Sequence, residues 1–253
     1  MRLLLALVLG CAFAAPASAR TLELIKSFGT LKVCLPANSL PFSSRHDNPP
    51  GFEVELAAAL AKQLGVTVEQ DWVISPIQVG RADCDLLLDA IVDPEVQSHS
   101  NLSLSKPYYR SGVVLVLPPG SPVSGFAALD EHSKIAVQVG SIVAMILGQR
   151  HVGLSSFAFE DEMLQALHDN EVTGAAVSFL SADYFNHTHP DRPLTVRPPD
   201  ESDQRLVWNV AVGMRKPDQA LKDAIDGALD RLGADGTIAR IYARYGITLP
   251  PPK

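Results

Sequence analysis

Short apolar runs of strand character alternate with runs of helical period along the first half of this chain, and that alternation restricts the fold more than any other feature. Leu31-Lys32-Val33-Cys34-Leu35 has the pattern of a strand, and a loop rich in Pro, Asn and Ser follows from Pro36 to Gly51. Phe52, Leu56, Leu60 and Leu64 then recur every fourth residue up to Gly65, which predicts an amphipathic helix ended by a glycine cap. Val66 to Val73 predicts a second strand and Cys84 to Val92 a third. Strands separated by helices are joined by crossovers, so the pattern implies a mainly parallel sheet covered by helices and excludes a bundle or a sandwich.

The wholly apolar Val113-Val114-Leu115-Val116-Leu117 suits a strand buried on both faces. Pro118-Pro119-Gly120-Ser121-Pro122 interrupts the series, and a second α/β unit is expected beyond it. Its parts are strand Lys134 to Val139, a helix from Ser141 to about Arg150, strand Ser155 to Phe159, helix Glu160 to His168, strand Gly174 to Phe179 and a short strand near Leu194 to Arg197. Val207 to Met214 is strand-like and leads back toward the first unit. Pro217 is expected to open a helix with Ala220, Leu221, Ala224, Ile225, Ala228, Leu229 and Leu232 on one face, ended by Gly233, and a last helix runs from about Asp235 to Tyr245.

Arg2, the apolar run from Leu3 to Ala15 and the small residues Ala17-Ser18-Ala19 have the form of a secretory signal peptide, with cleavage expected after Ala19 and a periplasmic destination. The run is too short for a lasting membrane span, and no later segment reaches the roughly 20 apolar residues that a span needs. Val8-Leu9-Gly10-Cys11 is a weaker fit to a lipid-attachment site, because Leu9 is bulky and the apolar run before it is short. Loss of residues 1–19 removes Arg2, leaving 20 basic against 28 acidic residues and a formal charge of -8. That sign, with no basic cluster, argues against nucleic acid and anionic lipid as partners. Cys34 and Cys84 remain in an oxidising compartment. They form either a disulfide or two buried small hydrophobes, and spacing does not decide between these.

Four segments together resemble the type II periplasmic solute-binding proteins of the polar amino-acid family. They are LKVCLPANSLPFSS with GFEVELAAALAKQLG, CDLLLDAIVDPEV followed by LSLSKPYYRSGVVLVLPPGSP, KIAVQVGS, and LGADGTIARIYARYG. The resemblance implies an α/β fold of two lobes, each a mainly parallel sheet with flanking helices, joined by two hinge crossings near Leu117 and Trp208. One lobe then comprises residues 20–117 and 209–253 and the other residues 118–208. A monomer that closes over a small molecule and serves an ABC permease is expected. No cofactor is expected.

Ligands of open α/β sheets bind past the carboxyl ends of strands. Those places are Asn38, Ser39, Leu40 and Phe42 in the first loop, Asp89, Ala90 and Asp93 in the segment that ends the third strand, and Gly140-Ser141 at a helix start, preceded by Gln138. Ser141 either contacts ligand or simply caps its helix, and Asp93 before Pro94 suits a turn cap equally well. Tyr108 lines the cleft or packs beneath it. Amino-acid binders of this family hold the ligand carboxylate with an arginine and its ammonium with an aspartate. The corresponding places here fall at Gln97 or Ser98 and at Phe179, so an ordinary α-amino acid is not expected as ligand.

The VC-LP-F opening, GR-x-x-CD and PYYRSG are similar to binding-protein relatives encoded beside quinoprotein alcohol dehydrogenases, which implies an alternative role as partner of such a dehydrogenase or a cytochrome. A third reading is a dehydratase-like enzyme of the same fold, with Asp89 and Arg110 as acid and anion clamp. His187-Thr188-His189 offers two ligands at most, so no metal site is expected.

Overall fold

The computed structural model describes residues 20–253 except 47, 75–77, 79–80, 95–101 and 201–202. The expected cleavage after Ala19, and Gln97 and Ser98, therefore lie outside the described residues. The first stretch runs α1 (Leu22–Phe28), β1 (Thr30–Pro36), β2 (Asn38–Ser39), β3 (Ser43–Ser44), α2 (Phe52–Leu64), β4 (Thr67–Val73), β5 (Leu86–Val92), β6 (Leu102–Leu104) and β7 (Tyr109–Leu117). It continues with β8 (Ile135–Gln138), α3 (Ile142–Gln149), β9 (Leu154–Phe157), α4 (Glu160–His168), β10 (Gly174–Ser178), α5 (Phe179–Thr188) and β11 (Thr195–Arg197). β12 (Val207–Arg215), α6 (Gln219–Ala234) and α7 (Thr237–Ala243) close the chain.

One twisted path of strands, β4-β1-β5-β12-β7-β10-β8-β9, joins two halves. β1 is parallel to β4 and β5 in the first, and β8 is parallel to β9 and β10 in the second. The antiparallel pair β7 and β12 forms the seam: Tyr109 to Gly112 pair with β12, whereas Val113 to Val116 pair with β10. A single strand thus passes from one half to the other. Its residues from Ser111 to Leu117 are all buried, which is why the apolar run is uninterrupted.

Each half has its own core. In the first, Phe52, Leu56 and Leu60 of α2 meet Leu221 and Ile225 of α6 and Tyr242 of α7. A fully buried leucine such as Leu56 or Leu60 contributes about 2 kcal/mol. In the second, Val143 and Leu147 of α3 cover one face of β8 and β10, and Met163, Leu164 and Leu167 of α4 cover the other. Trp208 packs against both the first core and the α3 side of the second, at the seam. The Cys34 and Cys84 sulfurs are bonded, with Cα atoms 5.6 Å apart, beside Val73.

The structure departs from expectation in several elements. Ser178 ends β10 by accepting from Ser181 N, so Phe179 opens helix α5 instead of extending a strand. The tail helix is capped by Asp218, whose carboxylate accepts from Leu221 N at 2.9 Å, and it runs through Gly233 to Ala234. β7 begins four residues before its apolar run because Tyr109 to Gly112 find β12, a pairing nearly a hundred residues distant that no local pattern shows. Among the described residues no helix is long and apolar enough to cross a membrane.

Candidate functional site

A cavity of about 240 Å³ lies between the two halves. Ser39, Leu40, Phe42 and Asp89 line it from the first half, and Gln138, Phe159, Glu160, Asp161, Ser178 and Ser181 from the second. The strands that contribute, β1, β5, β8 and β10, present it at or near their carboxyl ends, where a sheet's loops and helix starts converge.

The first-half wall is held by α2. Phe42 N–H donates to Ser39 O at 2.8 Å, closing the loop, and Ser43 Oγ donates to Pro36 O at 2.7 Å. The Phe42 ring rests on Phe52, with centroids 5.1 Å apart. Gly51 has φ +101°, and a Cβ there would sit 2.4 Å from Phe42 O, so only glycine lets the loop approach the helix start this closely. Gly51 N–H donates to Tyr245 Oη at 2.9 Å, and that hydroxyl donates to Glu55 Oε1 at 2.8 Å. Arg244 pairs with the other oxygen of Glu55.

Asp89 reaches the cavity through an irregularity in the sheet. Ala90 pairs with Ala211 and Leu87 with Gly213, so Leu88 and Asp89 oppose Val212 alone. This bulge turns the Asp89 side chain toward the cleft, a use to which bulges near binding sites are commonly put. Ser105 satisfies both backbone groups of Val212, and Tyr108 Oη donates to Leu88 O at 2.6 Å. Asp89 is reached by solvent through the cleft yet surrounded by protein on its other sides, and this burial raises its pKa above the ordinary aspartate range. Glu53 lies behind it, 2% exposed, with Oε1 lacking a hydrogen-bond partner. Burial first, and the Asp89 charge second, hold the Glu53 carboxyl well above its usual range. Burial likewise pushes up the phenols of Tyr108, Tyr109 and Tyr242 nearby.

On the opposite wall, Glu160 opens α4 and is fixed by three donors. Ser178 N–H reaches Oε1 at 2.8 Å, and the hydroxyls of Ser178 and Ser181 reach Oε2 at 2.8 and 2.6 Å. The adjacent Asp161 is exposed and lines the same cavity.

Of the residues singled out in the sequence, Ser39, Leu40, Phe42, Asp89 and Gln138 come together here. The others stand outside the cavity. Asn38 pairs with Ser44 in the short hairpin, Ala90 lies in the ladder with Ala211, and Asp93 follows β5. Gly140 forms the turn before α3 at φ +74°, and Ser141 caps that helix by accepting from Ala144 N. Tyr108 packs on the first core with its hydroxyl committed to Leu88 O, so it supports the cleft floor from below. Phe179 packs against both cores as the first residue of α5. Phe159, Glu160, Asp161, Ser178 and Ser181 also line this cavity and were not singled out in the sequence; the two acids are the ones it could have pointed to. Their signal was a run of three acids directly after the strand expected to end at Phe159. Among the described residues no group of three His, Cys, Asp or Glu side chains is placed to hold a metal ion, and the His189 ring stacks on Phe185.

The shared seam strands, the two cores and the cavity between them define a two-lobed α/β solute-binding fold. A solved structure of the ancestral amino acid-binding protein AncCDT-1, a precursor of cyclohexadienyl dehydratase, superposes with a TM-score of 0.72 at 22% identity, covering 89% of this chain and 99% of the other. The probable histidine-binding protein of Neisseria gonorrhoeae is 25% identical over 227 residues, covering 85% of this chain and 82% of that protein. The L-cystine-binding protein TcyJ of Escherichia coli K12 is 27% identical over 251 residues, covering 95% and 91%. The sequence profile of the bacterial extracellular solute-binding proteins, family 3, matches residues 31–248, and the chain belongs to this family.

Proposed function

We propose that the protein is a periplasmic receptor that closes its two lobes over a small polar organic molecule and delivers it to an ABC permease. The observation that carries this reading is the cavity lined from both halves, with Ser39, Phe42 and Asp89 facing Gln138, Glu160 and Ser178. The boundary expected at Leu117 moves back along β7, because Val113 to Leu117 pair with β10 and β11 and pack in the second half: residues 20–112 with 208–253 form one lobe and residues 113–207 the other, and the motion is absorbed between Ser111 and Val113 and around Trp208. An ordinary α-amino acid fits poorly. Its carboxylate calls for a guanidinium or ammonium partner, and none of the described residues lining the cavity is Arg or Lys.

The cavity favours a receptor over an accessory surface for a quinoprotein dehydrogenase or cytochrome, because a surface role gives no reason for a walled pocket. A dehydratase-like reaction would need Asp89 and Arg110 to face one substrate. Arg110 is not among the residues lining that cavity, and it sits in the seam opposite Asn209. Thermal-shift screening of amines, amino acids, organic acids and alcohols, paired with Trp208 fluorescence, tests the proposal. At least one class should raise the melting temperature by several degrees and change the fluorescence saturably. No response to any class would refute it.

A further inference from the structure

Beside the cavity between the lobes lies a second one of about 630 Å³ along α4 and α5, and the two share the lining residues Leu40, Asp161 and Ser181. The charges along this trench are of one sign. Asp89, Glu160 and Asp161 line the inner part, and Glu162, Asp169 and Glu171 line the outer part. Among the described residues lining either cavity, His189 is the only basic side chain, and its Nδ1 lies 3.0 Å from Phe185 O. Apolar side chains line the same walls: Leu40, Phe42 and Phe159 in the cavity of the inner acids, and Phe157, Tyr184 and Phe185 in that of the outer ones.

We propose that this trench takes a linear organic cation with two or more ammonium groups and no carboxylate, that is, a diamine or polyamine. The proposal rests on reading the cavity as the solute site of a receptor and goes beyond it by naming the ligand class. Several carboxylates match several ammonium groups, and the apolar side chains lining the same walls match the methylene segments that join those groups. Ser178 and Ser181 fix Glu160 in advance, so little ordering remains to be done when a cation arrives. The aromatic faces add a second source of attraction for cations. A free carboxylate on the ligand would face Asp89, Glu160 or Asp161 and be repelled.

Isothermal titration calorimetry with 1,4-diaminobutane and spermidine, beside lysine, succinate and 1,4-butanediol, provides the test. The amines should bind saturably, and lysine, succinate and butanediol at least tenfold more weakly. Asp161→Asn, at an exposed position, should weaken amine binding about tenfold with the melting temperature unchanged, and Glu160→Gln should weaken it further. Binding of lysine, succinate or butanediol with silent amines would overturn the ligand class while leaving the receptor reading intact. Silence toward every compound here and in the wider screen would remove both. Amine affinity that is the same in both variants would place the binding elsewhere and overturn the assignment to this trench.

Discussion

Tyr245→Phe removes one oxygen atom and tests how the cleft loop is anchored. In the native protein this hydroxyl accepts from Gly51 N–H at 2.9 Å and donates to Glu55 Oε1 at 2.8 Å, and the ring is fully buried. Phenylalanine keeps the ring, which stands edge-on to Phe52 with centroids 6.1 Å apart, so packing is preserved and polar satisfaction is the only thing lost. The Gly51 N–H is left buried without an acceptor, a cost of about 1–3 kcal/mol. Glu55 loses a donor but keeps Arg244, so its share is small, and the sum is about 2 kcal/mol. For a chain of this size that lowers the melting temperature by about 4–8 °C. Urea unfolding should show the midpoint fall at constant slope. Because Gly51 packs directly against the Phe42 carbonyl, the loop carrying Ser39, Leu40 and Phe42 should loosen, and ligand affinity should fall with stability. A loss below about 0.5 kcal/mol would refute the reasoning, since an unsatisfied buried donor cannot cost so little.

Two further outcomes are expected. Replacing Cys34 and Cys84 together by Ser should lower stability by about 4 kcal/mol, from the chain entropy released when a bridge spanning 50 residues is lost, as measured by urea unfolding with and without reductant. Glu53 binds its proton more tightly folded than unfolded, so the native protein loses stability as pH rises from the ordinary glutamate range through the raised folded value. Glu53→Gln has no such loss, and its stability relative to the native protein should increase with pH across that window in parallel urea titrations.

The elements legible in the sequence are those whose information is local. α2 and α6 declare themselves because Leu56, Leu60 and Leu64, and Leu221, Ile225 and Leu232, repeat with the helix and face one core. α5 does not, because its sequence FLSADYFNHT packs aromatic and small residues without a clear stripe, and Phe179 reads naturally as the end of a strand. The bulge at Leu88 and Asp89 depends on Val212 and Ser105, more than a hundred and about sixteen residues along the chain, so sequence placed Asp89 near the cleft without saying how it gets there. Glu160 and Asp161 were legible in principle. A strand ending at Phe159 and a helix opening at Glu160 are both expected from the sequence, and the rule that ligands bind past strand ends points to those two carboxylates. What it could not supply was the pair of serines, Ser178 and Ser181, that the α4 and α5 packing brings to Glu160.

Closure of the two lobes about the β7 and β12 seam changes the overall dimensions of the molecule, which small-angle X-ray scattering measures. The protein, freed of carried ligand by unfolding and refolding, is titrated with the compound that stabilises it most in the thermal screen. A saturable fall in the radius of gyration is expected, with the same midpoint as the change in fluorescence of Trp208, which packs against cores on both sides of the seam. Saturable binding with an unchanged radius of gyration and unchanged fluorescence would contradict it.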